Sequence, residues 1–163
     1  MRAAGGVPDD RIVGDVAGAA EYLGGLDGAN GKTGVIGHCS GGRQAFLAAC
    51  SLRLDAAVDC YGAFVAEDPP DGMPASMKPI LGLAPDLSCP LLGLFGKDDR
   101  YPSPEAVAKL DTELTRLGKS HEFHSYHGAG HSFFSVDRPA YRVEPALDGW
   151  RRIYDFFAKH LEG

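Results

Sequence analysis

The sequence predicts an α/β fold, a three-layer arrangement in which a mostly parallel sheet is wound with helices. Three observations carry this. Short apolar, β-rich runs alternate with longer segments of helical period along the whole chain. The 163 residues, with 44% hydrophobic and 23% charged content, have the composition of one globular domain. No repeat or low-complexity tract interrupts the alternation.

The elements follow in order. Asp9 to Gly25 places Ile12, Val13, Val16, Ala20 and Leu23 on one face and ends at a Gly-Gly pair, the pattern of an amphipathic helix. Lys32 to Gly37 reads as a strand. The alanine-rich run from Gly41 to Leu52, with Phe46 and Leu47, reads as a buried helix, and a sharp turn carrying Cys39 joins the two. Ala56 to Tyr61 is a second strand. Ala63 to Ser88 holds five prolines and little apolar periodicity, so it is expected as a long irregular excursion of the kind that often contributes to a site. Pro90 to Phe95 forms a third strand. Ser103 then caps a helix that begins at Pro104, turns Val107, Leu110, Leu114 and Leu117 inward, and closes at Gly118. His121 to Tyr126 alternates as a fourth strand. The last helix is expected from about Pro145 to His160, burying Trp150, Ile153, Tyr154 and Phe157.

Composition narrows the function. Sixteen basic against twenty-two acidic residues give a net charge of -6, with no basic stripe to track a phosphate backbone, which argues against nucleic acid as a partner. Neither a charged leader with an apolar core nor an apolar run of about 18 residues is present, so the expectation is a cytoplasmic protein without a membrane partner. Cys39, Cys50, Cys60 and Cys89 stand singly, with no CxxC pair and no zinc-ligand spacing; reduced thiols and no metal are expected.

The chemistry is expected at the carboxyl ends of the strands, where open parallel sheets place their ligands. Cys39 sits in Gly37-His38-Cys39-Ser40-Gly41-Gly42 between a strand and a helix, the small-residue pattern of a nucleophile elbow with cysteine in place of serine. Glycines 37, 41 and 42 permit a strained backbone and a close approach of helix to strand. The helix N-terminus favours thiolate over thiol, and the Ser40 amide points toward the developing oxyanion. Most lone cysteines are structural, which is our reading of Cys50, Cys60 and Cys89. Gly96-Lys97-Asp98-Asp99 ends the third strand and offers a carboxylate to orient a histidine, with Asp99 the better candidate of the pair. The glycine-rich loop after the fourth strand carries His131. Cys39, Asp99, His131 is the nucleophile, acid, histidine order of an α/β-hydrolase. His38, His121, His124, His127 and His160 are read as surface or packing residues.

Together, Gly-His-Cys-Ser-Gly-Gly, Gly-Lys-Asp-Asp and Gly-Ala-Gly-His-Ser-Phe-Phe resemble the dienelactone hydrolase family over nearly the whole chain. The resemblance implies a catalytic triad of Cys39, Asp99 and His131, hydrolysis of a lactone or other small ester, and no metal or organic cofactor. One departure is His38, where the family commonly has an aromatic residue; it could tune the thiol or fill space. A larger one is that the match begins at the helix before the nucleophile strand, so the chain is expected to form a single partial α/β-hydrolase domain (1–163) of about four strands. The upstream strands of the family, with their second oxyanion amide, are not found. The strand from Lys32 to Gly37 would then be an open edge, which invites pairing with another chain. A homo-oligomer or a complementing amino-terminal chain is expected, unless the reading frame begins further upstream. Two alternatives stay open: a catalytically silent remnant or subunit, and a broad carboxylesterase.

Overall fold

The computed structural model describes residues 7–73 and 77–162. Four strands, β1 (Gly34–His38), β2 (Ala56–Cys60), β3 (Leu91–Gly96) and β4 (His121–Tyr126), form one parallel sheet in the order β1-β2-β3-β4. Helices α1 (Asp9–Gly24), α2 (Ser40–Ser51) and α3 (Pro104–Arg116) lie toward one face, and α4 (Val143–Leu161) covers the other. Every residue of β2 and β3 is buried, as strands covered on both sides must be. Period-two alternation divides their side chains between two cores. Ala57 and Leu91 join Phe46, Leu47, Leu110 and Leu114 under α2 and α3. Ala56, Val58, Leu92 and Leu94 join Phe133, Ile153 and Phe156 under α4. These are the three layers the sequence predicts.

Most elements follow their local chemistry. The Ser103 hydroxyl accepts the Ala106 N–H at 3.1 Å and Pro104 occupies the first turn, so α3 starts where its cap places it. β1 begins two residues later than the sequence suggests, because the Lys32 and Thr33 amides are bound by the Asn30 and Asp55 side chains.

Three expectations are corrected. On α4 the buried stripe is Ala146, Gly149, Ile153 and Phe156, whereas Trp150 is 39% and Tyr154 68% exposed and Phe157 is half-buried. The helix turns its small residues inward because a Cβ at Gly149 would overlap the Phe134 ring, so close packing there selects glycine over the neighbouring large aromatics. The helix also starts at Val143 rather than Pro145, since a proline in the first turn forfeits no intrahelical bond. On α1, Ile12, Val13 and Val16 pack on the core, but Leu23 is 53% exposed. The excursion after β2 is not wholly irregular: it begins with buried Ala63–Ala66 and includes a 3-10 segment, Leu81–Asp86, packed against α2. Residues 74–76 of this stretch lie outside the described residues. Among the described residues no helix is long and apolar enough to cross a membrane.

Because the sheet is parallel, β1, β3 and β4 all release their following loops at one rim.

Candidate active site

At that rim β1 passes into α2 through Cys39, whose backbone takes φ 60 and ψ -125, an arrangement a non-glycine residue adopts at a cost of order 1–3 kcal/mol. The surrounding packing enforces it. A Cβ at Gly37 would overlap the Gly41 carbonyl, and one at Gly42 would overlap a carboxylate oxygen of Asp59 and crowd Gly62. Gly41 has open space around its Cα, so the tight approach rests on Gly37 and Gly42.

β3 ends at Gly96 and β4 at Tyr126, and the two following loops meet Cys39. His131 Nε2 stands 3.0 Å from Cys39 Sγ, and His131 Nδ1 stands 2.9 Å from Asp99 Oδ2. Asp99 is fixed in turn, its Oδ1 accepting the Tyr101 N–H at 2.9 Å, and its side chain is 2% exposed. Neighbouring Asp98 is exposed to solvent. The Tyr61 ring meets the His131 ring edge-on at 5.1 Å and limits its rotation. The three residues singled out from the sequence are thus brought together across 92 and 32 residues of chain.

The electrostatics favour an ion pair. Hydrogen bonding to His131 lowers the Cys39 thiol from its ordinary value, with burial opposing and the Ser40 amide assisting. His131 is raised to about 10, chiefly by its hydrogen bond to Asp99 and then by that to Cys39. The other cysteines behave oppositely: burial pushes Cys50 up to about 12 and Cys89 up to about 11, and raises Cys60 as well. They are inert core thiols.

The remaining histidines occupy other settings. His38 Nδ1 lies 3.2 Å from the Tyr61 hydroxyl and its ring packs against Phe134 and Trp150, so it fills an aromatic box on the α4 face and burial lowers its pKa. His121 contacts Asp111, His124 lies 2.9 Å from Arg152, His127 contacts Lys97, and His160 packs on Phe156.

Two buried polar groups escape a reading of the sequence. Asp59, on the α2 face of β2, has no exposed surface; Oδ1 accepts the Gly62 N–H at 2.7 Å, Oδ2 has no partner among the described residues, and burial pushes the carboxyl up to about 7. Arg43, one helical turn past Cys39, donates to both oxygens of Asp9 at 2.8 and 3.0 Å and to the Lys78 carbonyl at 2.8 Å. An Asp between Val58 and Cys60 in an otherwise apolar strand and an Arg in an alanine-rich helix are the available signals.

A cavity of about 710 Å³ opens on Cys39, Ser40, Asp99 and His131. Its further walls come from the excursion after β2, through Phe64, Met73 and Met77, and from the start of α1. Among the described residues no cluster of three or more His, Cys, Asp or Glu side chains is arranged to hold a metal ion.

A model of the dienelactone hydrolase family matches residues 3–161. Proteins assigned the name carboxymethylenebutenolidase are similar: one from Methylorubrum extorquens is 34% identical over 156 residues, covering 94% of this chain and 52% of that protein. Another from Yersinia pestis is 35% identical over 155 residues, covering 94% and 57%. The chain therefore spans about half the length of the curated relatives it matches. A crystal structure from Klebsiella pneumoniae subsp. pneumoniae, assigned as a dienelactone hydrolase, superposes with TM-score 0.84 at 32% identity over 94% of this chain and 63% of that one. A puromycin-hydrolyzing peptidase of Mycobacterium tuberculosis, 20% identical, shares the fold with TM-score 0.74 over 93% of this chain and 25% of that one.

Proposed function

Because this chain belongs to the dienelactone hydrolase family, we propose that it hydrolyses a lactone or other small carboxylic ester, with Cys39 as nucleophile, His131 as base and acid, and Asp99 as the carboxylate that orients His131. The reading rests on the two contacts of one imidazole, 3.0 Å to Cys39 Sγ and 2.9 Å to Asp99 Oδ2. The thiolate attacks the ester carbonyl while His131 holds the proton. As the tetrahedral intermediate collapses, the C–O bond breaks, His131 protonates the leaving alkoxide, and a thioester remains on Cys39. His131 then takes a proton from water, whose hydroxide attacks the thioester. The acid leaves, and Cys39 and His131 return to their starting charges. The Ser40 amide, at the head of α2 and within reach of Cys39 Sγ, is the oxyanion donor we assign.

The test is hydrolysis of a chromogenic acetate ester and of dienelactone by the parent, Cys39→Ala and His131→Ala. Each variant is expected to lose at least about 100-fold in turnover, since such residues act as a unit. A Cys39→Ala chain as fast as the parent would sink the reading. Thiol alkylation separates it from a broad esterase that uses the Ser40 hydroxyl, which alkylation would spare.

We infer in addition that the outer edge of β1 pairs with a further strand, from a second copy, a complementing chain or sequence upstream of residue 1. β1 lies at the sheet margin with Ile36 exposed, beside a groove of about 300 Å³ lined by Val16, Ala20, Leu23 and Val35. Sedimentation of the purified chain as a monomer, with β1 amides protected from hydrogen exchange, would refute this.

A further inference from the structure

The cavity is roomier and less polar than a compact anionic lactone calls for. At about 710 Å³ it lies in the upper half of the roughly 300–1,000 Å³ span of small-molecule sites. Beside the thiol its walls are Ala63, Phe64, Met73, Met77 and Tyr101. Two thioethers in one wall give a surface that adapts to flexible hydrocarbon. The charged groups lining the interior are already matched. Arg43 is charge-paired with Asp9, both of whose oxygens it holds, only its Nε lacking a partner among the described residues, and Asp99 is held by His131. The remaining cation, Arg100, is exposed at the rim, its guanidinium 5.4 Å over the Tyr101 ring. Among the described residues a substrate carboxylate carried inward would meet no uncompensated cation there, and burying it would be costly.

From this we infer that the substrate is a carboxylic ester with an extended apolar acyl chain of medium length, which lies along the Phe64, Met73 and Met77 wall while its carbonyl meets Cys39. This rests on the assignment of Cys39 as nucleophile. The acyl group stays bonded to sulfur through the second half of the reaction, so the wall beside the thiol holds it in both halves. Each methylene moved from water into such a wall is worth up to about fourfold.

The experiment is kcat/KM for p-nitrophenyl acetate, butyrate, hexanoate and octanoate, with a parallel series of acetates of lengthening alcohols. For the parent, kcat/KM is expected to rise at least about tenfold from acetate to octanoate, because several methylenes are buried. Met77→Gln is expected to reduce the octanoate-to-acetate ratio about fivefold or more by placing a polar amide in the wall, and Met77→Leu to retain it. A flat or falling acyl series, or a rise confined to the alcohol series, overturns the inference while leaving the Cys39 assignment standing, provided activity still vanishes in Cys39→Ala. A folded parent that hydrolyses no ester overturns that assignment and this inference together.

Discussion

Asparagine at position 99 would keep the shape of the carboxylate and remove its charge. Asp99 uses both oxygens, one for His131 Nδ1 and one for the Tyr101 amide, each at 2.9 Å. An asparagine that keeps its oxygen on the Tyr101 amide turns an NH₂ group toward Nδ1, so donor faces donor unless the imidazole changes tautomer. A hydrogen bond to a charged group contributes about 1.5–3 kcal/mol, which at about 1.36 kcal/mol per tenfold is a loss of about 10- to 160-fold in kcat/KM. Tautomer reversal deepens this, and the serine-histidine-aspartate template sets an outer value of about 10⁴-fold. The pH dependence gives a sharper reading. In the parent, His131 stays protonated until pH passes about 10 and its hydrogen bond lowers the Cys39 thiol, so the two shifts together widen the pH window of the thiolate–imidazolium pair, whose alkaline limb lies near 10. Without Asp99, His131 falls back toward 6.5, and the weaker imidazolium lets Cys39 rise. The window then closes from both sides. The assay is the iodoacetamide alkylation rate of Cys39 against pH, run beside ester hydrolysis. If Asp99→Asn keeps the parent's alkylation profile and turnover, the account of how the thiol is ionised is wrong.

Three further outcomes follow from the packing. Asp59 has its carboxyl raised from 3.8 to about 7 by burial, so its ionisation disfavours the folded state as pH climbs through that interval, and the penalty is absent below it. Asp59→Asn is expected to melt above the parent beyond neutrality and level with it in acid; an offset independent of pH would refute this. Gly37→Ala forces a methyl into the Gly41 carbonyl and is expected to cost about 3 kcal/mol or more in urea titrations; a near-neutral effect would mean the elbow is looser than it stands here. On α4, Ile153→Ala is expected to cost about 2–5 kcal/mol and Tyr154→Ala within about 0.5 kcal/mol, both read by chemical denaturation, and equal costs would contradict the helix orientation.

The site was more legible than some of the packing around it, for a physical reason. Cys39, Asp99 and His131 each follow a strand in a glycine-marked turn, and parallel topology delivers such turns to one rim whatever the lengths between them. Ser103-Pro104 likewise specifies its helix from adjacent residues alone. What sequence could not rank was which α4 residues face inward. Trp150 and Tyr154 carry more apolar area than Ala146 and Gly149, yet the nearness of Phe134 decides the rotation, and Phe134 lies outside the helix, where its periodicity cannot reveal it. Arg43 is not legible because its partner Asp9 is brought close only by the fold, and Asp59 because its burial comes from the close approach of α2 at Gly42 rather than from its local Gly62 contact. The prolines of the excursion after β2 mark it as a contributor to the site, but its 3-10 turn is held by α2 and has little periodicity of its own.

The span of chain between Cys39 and His131 makes the thiol a gauge of assembly. Its acidity comes from an imidazole 92 residues away, on a loop set by β4 at the far margin of the sheet, and that imidazole depends on a carboxylate carried by β3. A chain that has collapsed, or has docked only β1 and β2, holds Cys39 in place with an ordinary, slow-reacting thiol. Pulse alkylation during refolding would therefore report the moment when β3 and β4 lock into register, a stage that secondary-structure signals reach too early to distinguish.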